Sequence, residues 1–252
     1  MRTGVPSKRL ATPLTEAAHQ LAAALDGLPF SAPVTHVYNP LDYAGQAHDQ
    51  YLAMWGAQPQ PRRVIFLGMN PGPFGMVQVG VPFGEVAIVH DWLRINAPIR
   101  QPLKMNPKRP IEGWACTRSE VSGRRLWGLF RDRFGTPERF FAEHFVANYC
   151  PLAFFDNGRN VTPDKLTTVE MTPVIAACDA HLRTLVETMQ PEWVVGVGAY
   201  AQVQAERALA VSQHQPRIGR VLHPSPASPA ANRGWAEAAT KQLVEQGIWS
   251  AA

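Results

Sequence analysis

Cysteine is scarce in this sequence, and the few cysteines present are widely spaced. The three are Cys116, Cys150 and Cys178, and no two of them form a C-x-x-C pair. Zinc sites and iron–sulfur clusters use closely spaced ligands, so the sequence predicts no metal and no such cofactor. A sparse, odd number of cysteines is typical of reduced thiols, which favours an intracellular protein.

Long apolar runs are also absent. The sequence has no stretch of 18 apolar residues, and Met1–Leu10 lacks the apolar core of a signal peptide. We therefore expect no membrane partner and a location in the cytoplasm, nucleoid or nucleus. Charged residues make up only 17% of the chain and hydrophobic residues 46%. This composition predicts a folded protein with a substantial core.

Nothing in the sequence divides the chain into separate units. We find no internal repeat and no polar, flexible linker. The 23 prolines and 19 glycines lie between apolar stretches, where they mark loops. We therefore predict one domain over residues 1–252, with its motif-bearing core at about 60–247.

Four short apolar runs predict buried parallel strands, at 63–67, 145–149, 192–197 and 218–222. A shorter strand is predicted at 34–38. Helices are predicted at 15–25, 44–55, 84–95, 122–134, 170–189, 199–208 and 232–246. We expect Ser122 to cap its helix and Pro173 to lie in a first turn. The alternation predicts an α/β fold, a three-layer domain with a central, mostly parallel four-stranded sheet and helices on both faces.

Unusual loops follow three of the four predicted strands, at 68–75, 148–155 and 223–232. In open α/β sheets, ligands bind beyond the carboxyl ends of the strands. We therefore expect these three loops to converge on one cleft.

Positive charge is concentrated in one part of the chain. The net charge is +4 and the pI about 9.1. Between Arg94 and Arg131 there are nine basic residues and only two acids, Glu112 and Glu120. Such a stretch suits a polyanion such as nucleic acid, although a solvated basic face without a partner has the same composition.

The first loop, G-M-N-P-G-P-F-G-M, occupies Gly68–Met76. Gly72 and Gly75 allow the backbone to approach a ligand closely, and the prolines stiffen the loop. A tight structural turn is the alternative. The loop lacks the Lys-Ser/Thr ending of a nucleotide-hydrolase phosphate loop and the G-x-G-x-x-G spacing of a dinucleotide site.

The other two loops each contribute a polar side chain. N-Y-C-P-L supplies Asn148, whose amide carries both a donor and an acceptor and so matches the edge of a uracil. The third loop, H-P-S-P-A-S-P-A-A-N-R-G-W, places His223 at the base of a rigid, proline-rich segment. A lone histidine is also compatible with a structural role.

Together these loops resemble the uracil-DNA glycosylase superfamily, in particular its single-strand-selective monofunctional branch. G-M-N-P-G-P at Gly68–Pro73 is similar to the first motif of this branch, and H-P-S-P at His223–Pro226 to the second. The mismatch-specific branch has a related first motif but lacks this histidine. The iron–sulfur branches need four cysteines. The resemblance covers about residues 66–235.

The resemblance implies a role for each matching residue. Asn70 is expected to position the attacking water, and His223 to stabilise negative charge on the departing uracil, chiefly at O2. Phe83 is expected to stack on the flipped base, and Asn148 to bind its pyrimidine edge. Three further positions are expected to line the pocket through their backbone amides: Met69, Gly72 and Met76.

A wedge is expected to fill the gap that a flipped nucleotide leaves in DNA. It corresponds to Ser225, Pro226, Ala227, Ser228, Pro229, Asn232 and Arg233. The family's wedge often begins with arginine and asparagine, whereas this chain has Ala227 and Ser228 there. Small side chains push weakly into a base stack, so this departure predicts a weak grip on duplex DNA.

The implied activity is hydrolysis of the N-glycosidic bond, which leaves an abasic site in single- or double-stranded DNA. None of the five lysines lies in a motif loop, so an amine nucleophile is not expected. The expected substrates are uracil and oxidised uracils such as 5-hydroxymethyluracil, and the expected state is a monomer. The alternatives are a mismatch-specific uracil/thymine glycosylase, a nucleoside hydrolase and a non-catalytic DNA-binding module.

Overall fold

The computed structural model describes residues 12–57 and 61–251. The expectation for Met1–Leu10 therefore lies outside the described residues. Within them, seven strands form two sheets. The strands are β1 His36–Tyr38, β2 Val64–Gly68, β3 His144–Asn148, β4 Ala153–Asp156, β5 Arg159–Val161, β6 Trp193–Val197 and β7 Arg217–Val221.

The central sheet has four strands in the order β3-β2-β6-β7, all parallel. Its middle strand β2 is buried along its whole length, from Val64 to Gly68. A parallel strand covered on both faces needs apolar side chains on both sides, which is why it appears as an unbroken apolar run. The predicted four-stranded parallel sheet is confirmed.

Ten α-helices surround and connect the strands of the described residues. They are α1 Pro13–Ala24, α2 Pro40–Tyr43, α3 Gly45–Tyr51, α4 Met76–Val79, α5 Val121–Phe134, α6 Pro137–Glu143, α7 Thr168–Met189, α8 Ala199–Leu209, α9 Pro229–Asn232 and α10 Trp235–Glu245. Short π-helical turns occur at Leu52–Gly56 and Ile88–Trp92, and 3-10 turns at Gly113–Ala115 and Pro163–Lys165. None of these helices is long and apolar enough to cross a membrane.

The helices pack in two groups, one made by α1, α7 and α8 and the other by α5, α6 and α10. Right-handed crossovers explain the grouping. The chain leaves β2 for β3 in one direction and then moves from β3 through β6 to β7 in the other, which puts the connecting helices on opposite faces. The reversal creates a crevice at the carboxyl ends of β2 and β6.

The second sheet was not predicted. It is antiparallel, in the order β1-β4-β5, and pairs His36 with Phe155 and Asp156 with Arg159. The predicted strand at 34–38 belongs to this sheet. One cluster of buried apolar side chains extends from Leu14 to Trp249. We propose on this basis that the chain is one domain.

Four helix predictions are corrected by the structure. The helix expected at 84–95 is a short π-helical turn, and Arg94 beyond it has a φ of 58°. Helix α5 begins at Val121 after Glu120, so Ser122 lies inside its first turn and is no cap.

The other two corrections also concern where helices begin. Thr167 and Glu170 form a capping box that starts α7 early, so Pro173 lies inside the helix and not in its first turn. Helix α10 begins at Trp235 and not at Asn232, because Gly234 has a φ of 134° that no right-handed helix adopts.

Candidate active site

The three loops meet at the carboxyl edge of the central sheet. We call Met69–Gly75 the pocket loop. Its first residue and the end of β2 are joined to the neighbouring N-Y-C-P-L loop by two backbone bonds of 2.9 Å, in which Cys150 N–H donates to Met69 O and Tyr149 N–H to Gly68 O. The predicted convergence of the loops after β2 and β3 is therefore observed.

Gly68, the last residue of β2, brings two predicted site residues close together. A Cβ at this position would lie 2.2 Å from Asn148 Oδ1 and 2.4 Å from Cε2 of Phe83. Both distances are far shorter than real contacts allow, so only glycine permits this approach. Gly68 is required by the close packing of the polar side chain and the ring on either side of it.

The side-chain amide of Asn148 is only partly satisfied. Its Nδ2 donates to Met76 Sδ over 3.2 Å, and sulfur is a weak acceptor. Its Oδ1 is buried and has no hydrogen-bond partner among the described residues. A buried acceptor without a donor costs free energy, so it calls for an explanation in a native site. A cavity of about 30 Å³ reaches Asn148 from the interior and is large enough for water but not for a base.

Phe83 has an unusual backbone, with a φ of 54° and a side chain that is only 8% exposed. The conformation is held by helix α5, since a Cβ at Gly123 would lie 2.0 Å from the Phe83 carbonyl oxygen. The ring lies near His223, with 6.1 Å between the ring centroids. A strained backbone fixed from outside in this way is typical of functional sites.

His223 has a defined tautomer. Its Nδ1 accepts a hydrogen bond of 3.1 Å from Ser225 N–H, so the proton of the neutral ring is on Nε2. Burial lowers the pKa of His223 from its ordinary 6.5 to about 4. The ring packs against the end of β6, where a Cβ at Gly198 would lie 3.2 Å from His223 Cβ. The site therefore holds a neutral imidazole that offers one N–H donor.

Asn70 is anchored through one half of its amide. Its Nδ2 donates to Leu152 O over 3.2 Å, across to the neighbouring loop. Within the described part of the chain, nothing donates to its Oδ1. The side chain is thus fixed in orientation and keeps a free acceptor, which is what holding a water molecule requires.

The remaining pocket positions belong to the same loop and the helix that follows it. The half-buried Met69 contributes its carbonyl to the loop pairing described above. The Gly72 carbonyl accepts from Gly75 N–H and Val77 N–H, each over 3.3 Å. Met76 is the first residue of α4 and lies against Asn148.

Sequence reasoning missed Glu120, whose carboxylate lies directly beneath the pocket loop. A Cβ at Gly72 would lie 2.3 Å from its Oε2, and a Cβ at Gly75 would lie 2.8 Å from its Cγ. Oε2 also accepts from Phe74 N–H over 3.2 Å. Only glycine fits at these two positions of the motif, because any side chain there would overlap the side chain of Glu120.

Glu85 holds Glu120 in place. Glu85 Oε2 accepts from Glu120 N–H at 2.6 Å and from Ser119 Oγ at 3.1 Å. Burial raises the pKa of Glu120, the Phe74 N–H opposes this, and the nearby Glu85 carboxylate adds to it. Segment S-E-V-S-G at the start of α5 thus supports both the pocket loop and Phe83, although its sequence carries no obvious motif.

We call Ser225–Arg233 the wedge loop, and it is held mainly by its own residues. Ser225 Oγ accepts from Ala227 N–H at 3.1 Å, and Ser228 Oγ caps the short helix α9. Asn232 Nδ2 donates to Pro226 O at 2.9 Å. These bonds give the loop a compact shape that its serines and prolines favour locally.

Arg125 of helix α5 joins the wedge loop to the rest of the protein. Its Nη1 donates to Pro224 O at 3.0 Å and Ser225 O at 3.3 Å, and its Nη2 donates to Asn232 Oδ1 at 2.8 Å. In the sequence, Arg125 is one of nine basic residues between Arg94 and Arg131, and no motif distinguishes it. In the structure it is a fixed support for the wedge loop and for Pro224, the residue that follows His223.

Most of the wedge loop faces solvent. Pro226, Ala227, Pro229, Asn232 and Arg233 are exposed, whereas Ser225 and Ser228 are half-buried. The structure links this loop to the pocket through His223, which accepts from Ser225 N–H. Arg233 is the cation at the loop's end.

The basic stretch does not form one uniform surface. Three of its nine members pair with acids: Arg94 with Glu138, Arg100 with Asp42 and Arg131 with Asp132. Others have no acidic partner among the described residues. They are Lys104, Lys108, Arg109, Arg118, Arg124 and Arg125. Six cations of the stretch, and not all nine, are therefore candidates for contacts with a polyanion.

No group of three or more His, Cys, Asp or Glu side chains within residues 12–57 and 61–251 is arranged to hold a metal ion.

Similarity to known proteins covers nearly the whole chain. Single-strand selective monofunctional uracil DNA glycosylases of mouse and cattle are 45% and 47% identical to it. The mouse alignment covers 96% of this chain and 86% of that protein, and the cattle alignment covers 88% and 81%. The rat protein of the same name is 45% identical over 243 residues, 96% of this chain and 87% of that protein.

A solved structure shares the fold. Wild-type SMUG2 of Pedobacter heparinus superposes with a TM-score of 0.62 at 17% identity, over 93% of this chain and 95% of that one. At this identity the likeness concerns the α/β architecture alone. The profile of the Uracil DNA glycosylase superfamily matches residues 56–245, a range that contains the pocket loop, Asn148 and His223. This chain therefore belongs to the uracil DNA glycosylase superfamily.

Proposed function

We propose that this protein is a monofunctional uracil-DNA glycosylase of DNA repair, which hydrolyses the bond between uracil and deoxyribose and leaves an abasic site. The observation that carries the proposal is the buried Asn148 Oδ1, an acceptor without a donor, in the same site as a neutral histidine and a half-satisfied asparagine. The three similar mammalian proteins carry names that state this activity.

Recognition of the base is assigned to Asn148 and Phe83. Uracil offers an N3–H donor to the unpartnered Oδ1 and an O4 acceptor to Nδ2, which exchanges its weak bond to Met76 Sδ for a stronger one. Cytosine presents the reversed pattern and leaves both groups unpaired. The Phe83 ring, whose backbone is fixed by Gly123, supplies the stacking surface. Backbone groups of Met69, Gly72 and Met76 complete the pocket.

Stabilisation of the departing base is assigned to His223. Loss of uracil leaves electrons on the base, with much of the charge at O2. The Nε2–H of a neutral imidazole donates to that oxygen without the cost of burying a second charge. The Ser225 N–H bond holds the ring in this tautomer from the beginning of the reaction.

The attacking water is assigned to Asn70. Its amide is held by Leu152 O, so the free Oδ1 accepts from a water and aims it at C1′ of the sugar. An oxocarbenium-like sugar is a strong electrophile, so a water oriented by an amide suffices without a strong base. The four described lysines, Lys104, Lys108, Lys165 and Lys241, lie outside the motif loops, while Lys8 lies outside the described residues. This favours hydrolysis over a Schiff base.

The substrate is DNA from which the base is flipped, in single or double strands, and the wedge loop fills the gap. We further propose that the protein accepts 5-hydroxymethyluracil and other oxidised uracils. We also propose that it is a monomer and acts in the intracellular compartment that contains DNA. The small side chains at Ala227 and Ser228 support faster action on single strands and weakly paired sites.

The deciding experiment incubates the full chain with labelled oligonucleotides that carry uracil, 5-hydroxymethyluracil, thymine or cytosine, with and without a chelator. Alkaline cleavage then reports abasic sites. We expect cleavage at uracil that the chelator does not change. Release of base from free deoxyuridine but not from oligonucleotides would instead identify a nucleoside hydrolase, and efficient release of mismatched thymine the mismatch-specific activity.

Asn148→Asp tests the recognition step within the same assay. An aspartate offers acceptors to the cytosine amino group, so uracil release should fall and a trace of cytosine release should appear. Unchanged uracil release in this variant would remove Asn148 from base recognition while leaving the enzyme class intact.

A further inference from the structure

Phe74 in the pocket loop is covered by two arginines. The guanidinium carbon of Arg118 lies 3.8 Å from the ring centroid and that of Arg109 lies 5.1 Å away. The backbone of Phe74 is held in place, because its N–H donates to the half-buried Glu120 carboxylate. An aromatic ring on a fixed loop thus presents guanidinium groups at the rim of the cleft.

These two guanidinium groups lack an acidic partner within the described residues. Arg109 Nε donates to Gly158 O at 2.6 Å, which leaves its other donors available. The exposed Arg118 makes no hydrogen bond through its side chain to any described residue. By contrast, Arg94, Arg100 and Arg131 of the same stretch are paired with carboxylates. Two of the six cations of this stretch that lack an acidic partner therefore lie at Phe74.

Stacking prepares Arg118 for binding an anion. A guanidinium held 3.8 Å from a ring centroid has restricted freedom, and its planar fork of N–H donors matches two oxygens of a phosphate. Less side-chain freedom is then lost when the anion binds. Phe74 is only four residues from Asn70, so the chain between them spans at most about 14 Å, a few nucleotides along a strand.

We propose that Arg118, held on Phe74 with Arg109 beside it, is a subsite for a DNA backbone phosphate that flanks the flipped nucleotide. This rests on the proposed glycosylase function and identifies which cations hold the strand on the pocket-loop side. We assign binding and not chemistry to this subsite, since the chemical step is assigned to Asn70 and His223.

The test measures uracil release from single-stranded oligonucleotides by Arg118→Ala, Arg118→Lys and the matched control Arg139→Ala. Arg139 is an exposed arginine on α6, at the opposite edge of the sheet. For Arg118→Ala we expect KM to rise about tenfold, kcat to stay unchanged, and the slope of log KM against log salt to fall by about one. Arg118→Lys should recover only part of the loss, because lysine lacks the stacked fork.

Single methylphosphonate substitutions, which remove one phosphate charge at a time, locate the contact. DNA binding is measured by fluorescence anisotropy. At one position near the uracil, the substitution should weaken binding by the unaltered protein but should not weaken binding by Arg118→Ala any further. An Arg118→Ala variant with unchanged KM and salt slope, or with a loss in kcat alone, would overturn the subsite, as would equal coupling at every position. If the unaltered protein releases no uracil from any strand, it is the proposed function that fails.

Discussion

The pocket loop and the wedge loop lie at the same edge of the sheet but are held in place in different ways. The pocket loop depends on distant segments, since Asn70 binds Leu152 O and Phe74 N–H binds Glu120. The wedge loop depends mostly on its own serines and Asn232, with Arg125 as the contact from α5.

This difference follows from what each loop does in the proposed reaction. Groups that meet a transition state need fixed positions, and long-range contacts with buried elements provide them. A segment that enters DNA needs a defined shape and an exposed surface. Locally bonded turns provide both without a place in the core.

The largest effect is expected at the pocket loop itself, from Asn70→Ala. Loss of a contact to the attacking water should lower the single-turnover rate about 10²–10³-fold, with little change in DNA affinity. Rapid-quench measurement of base release checks this, with Asn160→Ala as a control, since Asn160 is an exposed asparagine on β5. An unchanged rate with collapsed affinity would make Asn70 a binding residue.

A smaller effect is expected when the distant support of that loop is removed. Glu120→Ala leaves Phe74 N–H without its acceptor and opens space beneath Gly72, so the rate should fall roughly tenfold. Glu120→Gln should keep most of the activity, because its amide oxygen still accepts from Phe74. The exposed Glu112 serves as a control through Glu112→Ala.

The two Glu120 variants separate positioning from folding. If they lose activity equally and melt at the same lowered temperature, Glu120 stabilises the fold and has no specific role in the loop.

In the wedge loop, by contrast, a substitution should raise activity on duplex DNA. Ala227→Arg adds volume and charge where this chain has little, so the ratio of duplex to single-strand rates should rise about threefold to tenfold. The matched control is Ala210→Arg, an exposed position at the end of α8. A ratio that stays constant would mean that the pocket alone sets strand preference.

The smallest expected effect is that of pH on His223. Its pKa of about 4 keeps the ring neutral, so the single-turnover rate should not follow a histidine titration from about pH 8 to about pH 5.5. A tenfold fall in rate across that range, with an apparent pKa near 6.5, would contradict the assignment of His223 as a neutral donor if this pH dependence disappears in His223→Gln.

Protein stability must be followed in the same samples. The unfolded chain takes up the His223 proton near its ordinary pKa of 6.5, whereas the folded chain resists it until about 4. This residue therefore lowers the free energy of unfolding progressively as pH falls from about 6.5 to about 4. Circular dichroism at each pH separates that effect from catalysis.

Three strands of the central sheet, β2, β3 and β6, could be predicted because they are buried along almost their whole length and appear as apolar runs. The edge strand β7 exposes Arg217 and Arg220 and shows a weaker pattern. The second sheet could not be predicted, because β5 is exposed and polar and carries no such pattern. Its partner β4 pairs with β1 across more than 100 residues, which no local pattern reveals.

At the candidate site, the sequence identified the residues that carry the chemistry but not their supports. Asn70, Asn148 and His223 stand in recognisable motifs at or just after the ends of strands, and the parallel sheet brings these strand ends to one edge. Glu120 and Arg125 lie in a helix whose start carries no motif, so nothing in their own neighbourhood indicated a role.

By itself the sequence determined β1 and the four strands of the central sheet, the loop positions and the local bonds of the wedge loop, since apolar runs, glycines, prolines and capping serines act over a few residues. The tertiary structure alone decided why Gly68 and Gly72 are glycines and which cations remain unpaired. Those properties arise from contacts such as Phe74 with Glu120, 46 residues apart, and Arg125 with Pro224, 99 residues apart. Such contacts exist only once the core has brought distant segments together.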